Sequence, residues 1–301
     1  LLDGGLYAGL YVVGAISSLG KTTFCLQIAD QIAAAGQDVL IFSLEMARNE
    51  LLAKSISRIT LTLDMELYSS TAHAKTTRGI LTGSRYARYN REEKELIQRA
   101  ISMYGDYAKH IYIVEGVGDV GVKEIRQRVE RHVRTTGRQP VVLIDYLQIM
   151  APADVRATDK QNTDKAVLEL KRMSRDLGIP VIGISSLNRD NYTEPISMKA
   201  YKESGAIEYS SDVLIGLQYM GMDYAEGEGK DARERRIREL IQQNFAAARD
   251  GMAQKIQLKI LKNRNGGKGD ALFDFYPMFN YFTVSDPLVS GADHRRAARR
   301  R

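Results

Sequence analysis

Residues 10–22 read LYVVGAISSLGKT, and the fold turns on how that stretch divides. Residues 10–13 are large apolar side chains ending at Gly14, the pattern of a short buried strand. Residues 22–35 carry Phe24, Ile28 and Ile32 at helical spacing and stop at Gly36, the pattern of an amphipathic helix with a glycine beyond its end. Between them, AISSLGKT at 15–22 matches the phosphate-loop pattern GxxxxGK[ST], with alanine in place of the first glycine. A strand entering and a helix leaving turn successive backbone N–H groups and the helix N-terminus toward one anion. In that frame Ala15, Ser17, Ser18 and Leu19 cradle phosphate with their backbone, and Gly20 lets the chain approach closely. Lys21 neutralises the β and γ phosphates, and Thr22, followed by Thr23, offers its hydroxyl to Mg²⁺.

Strands and helices alternate from this point to Asp212. Apolar runs at 39–43, 111–114, 141–144 and 181–185 are separated by amphipathic stretches, among them Val122, Ile125, Val129 and Val133, then Val167, Leu170, Met173 and Leu177. Buried strands alternating with helices predict a parallel sheet covered on both faces, with ligands at the carboxyl ends of its strands. After Asp212 the pattern changes to a strand at 213–217, a charged helix at 232–249, and two runs, 256–261 and 271–275, joined through Asn265-Gly266-Gly267. That is a hairpin signature, so an antiparallel extension is expected on the parallel core. The polar stretches 68–90 and 151–162 read as long loops.

Two acids stand where a phosphate site needs them. Asp145 ends the apolar run VVLI; it is either the carboxylate that holds a metal's water shell or a solvated strand end. Glu45 directly follows the strand 39–43 on the same edge, as a general base that activates water or as the acid that caps the next helix. Lys262 and Arg264, beside the hairpin turn, are either a solvated basic turn or a pair that reaches another molecule.

Composition narrows the partners. The chain has 301 residues, 44% hydrophobic and 27% charged, enough for one large α/β domain, and no apolar run approaches the ~20 residues of a membrane span. A cytoplasmic protein with no membrane partner is expected. One cysteine, Cys25, and four scattered histidines exclude a cysteine-rich zinc cluster. The net charge is +6, but five arginines lie in residues 295–301; without them the balance is +1, so overall basicity is no argument for nucleic acid.

Five motifs, in order, resemble those of the DnaB-like replicative helicases. LDGGLYAGLYVVGAISSLGKTT at 2–23 resembles the family's phosphate-loop segment, alanine included; SLEM at 43–46 its catalytic-glutamate motif; IDYLQIM at 144–150 its metal motif. ESGAIE at 203–208 resembles a DNA-facing loop, and KNRNG at 262–266 a basic hairpin that acts in trans. The resemblance implies a RecA-like P-loop fold over residues 1–288, with a helical insertion at about 230–250 and a basic tail at 289–301. It also implies a Mg²⁺-dependent ATP hydrolase and DNA helicase motor, with Lys21, Glu45, Lys262 and Arg264 as catalytic residues and Thr22 and Asp145 at the metal. Single-stranded DNA would meet Lys199, Lys202, Glu203 and Gly205, with Arg156 and Lys160 as a weaker second set. The implied assembly is a homo-oligomeric ring, expected to be a hexamer, with primase or a helicase loader as further partners. An assembly or recombinase-type ATPase without unwinding activity is the alternative.

The match departs in three places. Ser186 stands where the family has a γ-phosphate-sensing glutamine; Ser186 through a water, or Asn188, would have to replace it. The helix at 232–249 is extra, and its stripe Ile237, Leu240, Ile241 and Phe245 is either an internal packing face or a partner site. The chain begins at the motor, without the family's amino-terminal domain or linker helix, as an excised motor or truncated relative would.

Overall fold

The computed structural model describes residues 2, 4–116, 119–187, 192–201 and 205–285. One sheet of nine strands organises them, in the order β3-β2-β4-β5-β1-β6-β7-β8-β9. Five parallel strands with their helices come first: β1 (Gly9–Ala15), β2 (Val39–Ser43), β3 (Ile111–Glu115), β4 (Val141–Asp145) and β5 (Pro180–Ser186). β6 (Val213–Tyr219) pairs parallel with β1 and antiparallel with β7 (Gln254–Asn263), which starts the expected extension through β8 (Asp270–Tyr276) and β9 (Tyr281–Val284).

The strands are apolar on both faces because each face is covered. Tyr11, Val13, Ile41, Leu143 and Ile182 pack with Phe24, Leu26 and Ala29 of α1 (Lys21–Ala34). Their neighbours in sequence, Leu10, Val12, Leu40, Val142 and Val181, point the other way. They meet Ile125 and Val129 of α6 (Val122–Thr136) and Val167, Leu170 and Met173 of α7 (Asp159–Leu177). The period of two along each strand therefore divides one apolar run between two cores.

α2 (Arg48–Tyr68) and α5 (Arg91–Ala108) form a helical pair at the sheet's edge, where Ile59 and Leu63 pack on Leu96, Ala100 and Tyr104. Arg58 of α2 pairs with Asp30 of α1 in the interior. Here the expectation of a loop at 68–90 is corrected: α3 (Thr77–Leu81) and α4 (Gly83–Tyr86) lie within it, and Thr76 caps α3 by accepting from the Gly79 N–H. The loop expected at 151–162 is likewise shorter. Thr158 accepts from Gln161 N–H, and Gln161 Oε1 accepts from Thr158 N–H, so α7 starts at Asp159.

α8 (Gly205–Ser210) precedes β6, and α9 (Lys230–Arg249) crosses from β6 to β7. Ile237 is 0% exposed in the α1-side core, with Leu240 and Ile241 packed beside it, whereas Phe245 remains 45% exposed. Three-quarters of that stripe is thus internal packing. The basic tail at 289–301 lies outside the described residues, and no described helix is long and apolar enough to cross a membrane.

Candidate functional site

β1 delivers Ala15 to the carboxyl edge of the sheet, paired with Ser186 on one side and Leu217 on the other. The chain then turns with Ser18 and Gly20 at φ of 65° and 84°, and Gly20 caps α1. A side chain at position 20 would come within 2.7 Å of the Phe275 ring, so glycine is required there twice over. Leu19 is fully buried and anchors the loop, leaving its backbone to face the cavity. Lys21 Nζ donates to the carbonyls of Ala15 (3.0 Å) and Ile16 (3.2 Å). Burial lowers the Lys21 pKa from the usual lysine value, against the pull of Asp145 and Glu45. Tyr192 closes the loop's other side: its hydroxyl lies 2.6 Å from Ser17 Oγ and accepts from the Ser17 N–H at 3.2 Å.

The register Ser43↔Asp145 sets both acids at the same edge. Asp145 is 3% exposed, and burial pushes its pKa up to about 6, with the Thr22 hydroxyl, hydrogen-bonded to it, pulling the other way. Its Oδ2 is buried without a hydrogen-bond partner. An unpartnered carboxylate oxygen beside a threonine hydroxyl fits Mg²⁺, which takes oxygen ligands and needs only one or two from the protein. Glu45 is exposed on the cavity wall. The alternative role for it, capping α2, is taken by other acids: Glu50 accepts from the Ala47 N–H at 3.2 Å, and Glu115 accepts from the Arg48 N–H.

Together these residues line a cavity of about 490 Å³, which also holds two groups that sequence reasoning missed. Lys54 of α2 extends its ammonium into the cavity, donating to Asn280 Oδ1 (3.0 Å) and more weakly to Thr23 Oγ1 (3.5 Å). Its pKa too is lowered by burial. Asn280, left-handed at φ 56°, is fixed by a further bond from its Nδ2 to Thr77 Oγ1 (2.8 Å). Ser186 lies on the wall of this cavity and of a second one, about 590 Å³, that reaches Lys160, Tyr201 and Ile207. Gln148, three residues past Asp145, accepts from the Ser186 N–H (3.3 Å) and donates to its carbonyl (3.2 Å).

A site with this order of strands and residues can be compared with known proteins. The family profile described as "DnaB-like helicase C terminal domain" matches residues 2–284. The chain belongs to the DnaB-like helicase family. A probable replicative DNA helicase of Trieres chinensis is 27% identical over 271 residues, covering 87% of this chain and 53% of that protein. The replicative DNA helicase DnaC of Bacillus subtilis is 29% identical over 262 residues, covering 85% and 51%. The chain spans about half the length of these curated relatives. In fold it matches a DnaB-like replicative helicase solved for its interactions with primase, with a TM-score of 0.72 at 22% identity, over 93% of this chain and 58% of that one. A second solved structure, of an isolated ATPase domain, gives the same score and identity, over 93% and 85%. The architecture is therefore the RecA-like fold.

In this DnaB-like chain the remaining candidates do not join the cavity. Lys262 and Arg264 sit at the opposite end of the sheet: Asn263 pairs with Val213, and Val213 with Tyr11, four residues below Ala15. At ~3.3 Å per residue that is about 13 Å along the strands, with the chain leading away. Lys199 is exposed on the turn Met198–Tyr201, and Gly205 opens α8. Lys202 and Glu203, like Asn188, fall outside the described residues. Arg156 and Lys160 are exposed, Lys160 on the second cavity. His110 and His132 meet on Asp38, at 2.7 and 3.1 Å, in a structural cluster far apart in sequence.

Proposed function

We propose that the chain is the motor domain of a replicative DNA helicase, which couples ATP hydrolysis at subunit interfaces to movement along single-stranded DNA. One observation carries this reading. Lys21, Thr22, Glu45 and Asp145 share a cavity, whereas Lys262 and Arg264 lie at the far end of the same sheet. A γ-phosphate here meets a lysine, a metal-binding pair and a base, but no arginine from its own chain among the described residues. Arg264 is 53% exposed and serves a second copy's phosphates in a ring, stabilising the charge that develops in transfer.

The residues divide the work. The loop backbone, Lys21 and Lys54 bind the polyphosphate, and Glu45 orients water and takes its proton. Thr22 and Asp145 hold Mg²⁺, which when bound neutralises phosphate charge. Lys199 and Gly205, beside the second cavity, contact the DNA backbone without reading sequence. The ring is taken to be a hexamer in the cytoplasm, with primase or a loader as partner. Family membership speaks against the assembly-only alternative.

Turnover stimulated by single-stranded DNA, and lost in Lys21→Ala and Glu45→Gln, is the expected result. A rate indifferent to DNA under ring-forming conditions would overturn the proposal.

A further inference from the structure

The basic pair is not idle in its own chain. Lys262 Nζ donates to the carbonyls of Glu208 (2.7 Å) and Tyr209 (3.1 Å), in the last turn of α8. A helix's terminal carbonyls have no partner within the helix and carry its negative end, so an ammonium is well held there. Arg264 is tied to Asp212, which lies between α8 and β6: its backbone N–H donates to the Asp212 carbonyl (2.9 Å), and its guanidinium lies 3.7 Å from Asp212 Oδ1. The Asp212 carboxylate is itself fixed, since Oδ2 accepts from the Leu10 N–H (2.8 Å) and pairs with Lys171 (2.5 Å). Both members of the pair are thus held by one segment, 208–212, and that segment directly continues the one carrying Lys199 and Gly205.

We propose that Asp212 and the carboxyl end of α8 hold Lys262 and Arg264 in cis, so that DNA bound at the preceding segment sets when the pair is released to the neighbouring subunit's phosphates. This rests on the trans role of Arg264 given above. The reasoning is one of competition. Lys262 spends two of its three N–H donors on α8, and a guanidinium drawn to Asp212 is not drawn to a neighbour's phosphate. A displacement of α8 by bound DNA loosens both contacts together. Asp212 is accordingly a positioning residue that acts through Arg264, and the DNA segment of one subunit gates the ATP site of the next. Coupling of this kind needs an element with two arrangements that both ligands bias, and the short α8 between the DNA segment and the hairpin is that element.

Asp212→Asn tests it in the full-length protein. An asparagine oxygen still accepts from the Leu10 N–H, but the charge facing Lys171 and Arg264 is gone. The expected result is a three- to tenfold rise in kcat without DNA, an unchanged KM for ATP, an unchanged DNA-saturated kcat, and loss of the rise when Arg264→Ala is added. A purely structural role would instead lower both rates together with Tm. A folded Asp212→Asn protein whose DNA-free kcat equals or falls below wild type overturns the proposal. If that variant does not fold, Lys171→Met gives the opposite sign: freed of its lysine, Asp212 holds Arg264 more firmly, and DNA-free kcat falls at least twofold. An unchanged or raised rate there is equally fatal. Mixed rings of Arg264→Ala and Glu45→Gln subunits keep the two readings apart. Recovery of turnover in that mixture with no response to Asp212→Asn removes the gating alone; no recovery removes the trans role beneath it.

Discussion

Replacing Lys54 with methionine should weaken Mg-ATP binding while leaving the nucleotide-free protein no less stable. The ammonium of Lys54 stands in the phosphate cavity with Lys21, held by Asn280 Oδ1 at 3.0 Å. Methionine keeps the apolar stem and removes the charge. A hydrogen bond to a charged group is worth about 1.5–3 kcal/mol, which corresponds to a Kd roughly ten- to a hundredfold higher. Stability should move the other way. Burial lowers the Lys54 pKa, so its charge opposes folding; that cost is fully present below the lowered value and disappears as pH rises toward the usual lysine value. The variant's nucleotide-free melting temperature should therefore match or exceed wild type at pH 7, and the gap should close at alkaline pH. Titration with a fluorescent ATP analogue, together with melting curves with and without nucleotide, reads both effects. A Kd within twofold of wild type would refute the assignment of Lys54 to the phosphates, and a lower nucleotide-free Tm would refute the reasoning about its charge.

Three further outcomes are expected. Gly14→Ala would set a methyl group into the Tyr201 ring and cost about 1–3 kcal/mol in denaturant unfolding; adding Tyr201→Phe should not restore it, because ring carbons as well as the hydroxyl are overlapped. Ile237→Ala should cost about 2–5 kcal/mol, since Ile237 is fully buried, whereas Phe245→Ala, on the exposed end of the same stripe, should leave the midpoint within ~0.5 kcal/mol. Ser186→Ala should retain more than half of the DNA stimulation of ATPase, and Gln148→Ala should lose most of it, measured as the ratio of rates with and without DNA.

What can be read in the sequence is local, or repeats a local pattern. The phosphate loop is legible because strand, turn and helix are contiguous, and the parallel core because each strand is an unbroken apolar run. Asp145 follows from the same logic. The start of α7 is legible too, since Thr158 and Gln161 make a capping box, but the polar residues around them mask it as loop. β9 is not legible, because Pro277–Phe279 forms a turn and Asn280 adopts a left-handed conformation just before a strand of four residues. Lys54, Asn280 and Tyr192 leave no local signal at all. Each reaches the site from a distant part of the chain, Asn280 bonding Lys54 across 226 positions and Tyr192 meeting Ser17 across 175. A lysine on an amphipathic helix reads the same whether it faces solvent or phosphate.

The departure at Ser186 bears on how the two cavities communicate. A glutamine there would reach toward phosphate with its own side chain; a serine does not, yet its backbone is gripped on both sides by Gln148, which follows Asp145 by three residues. Movement at the metal-binding strand end is therefore passed to β5 through an amide held to main chain, which no shortening of residue 186 interrupts. A second contact runs in parallel. Tyr201 fills the space left by Gly14 and donates to the Ile215 carbonyl at 2.7 Å, so the residue that ends the turn bearing Lys199 packs against the strand that feeds the phosphate loop. Close-packed contacts of this kind shift as units rather than deform, which is the property a motor needs between its fuel and its track. On this account the chain has moved its coupling from a side chain at 186 into the backbone around it, and the contrast between Ser186→Ala and Gln148→Ala separates the two arrangements.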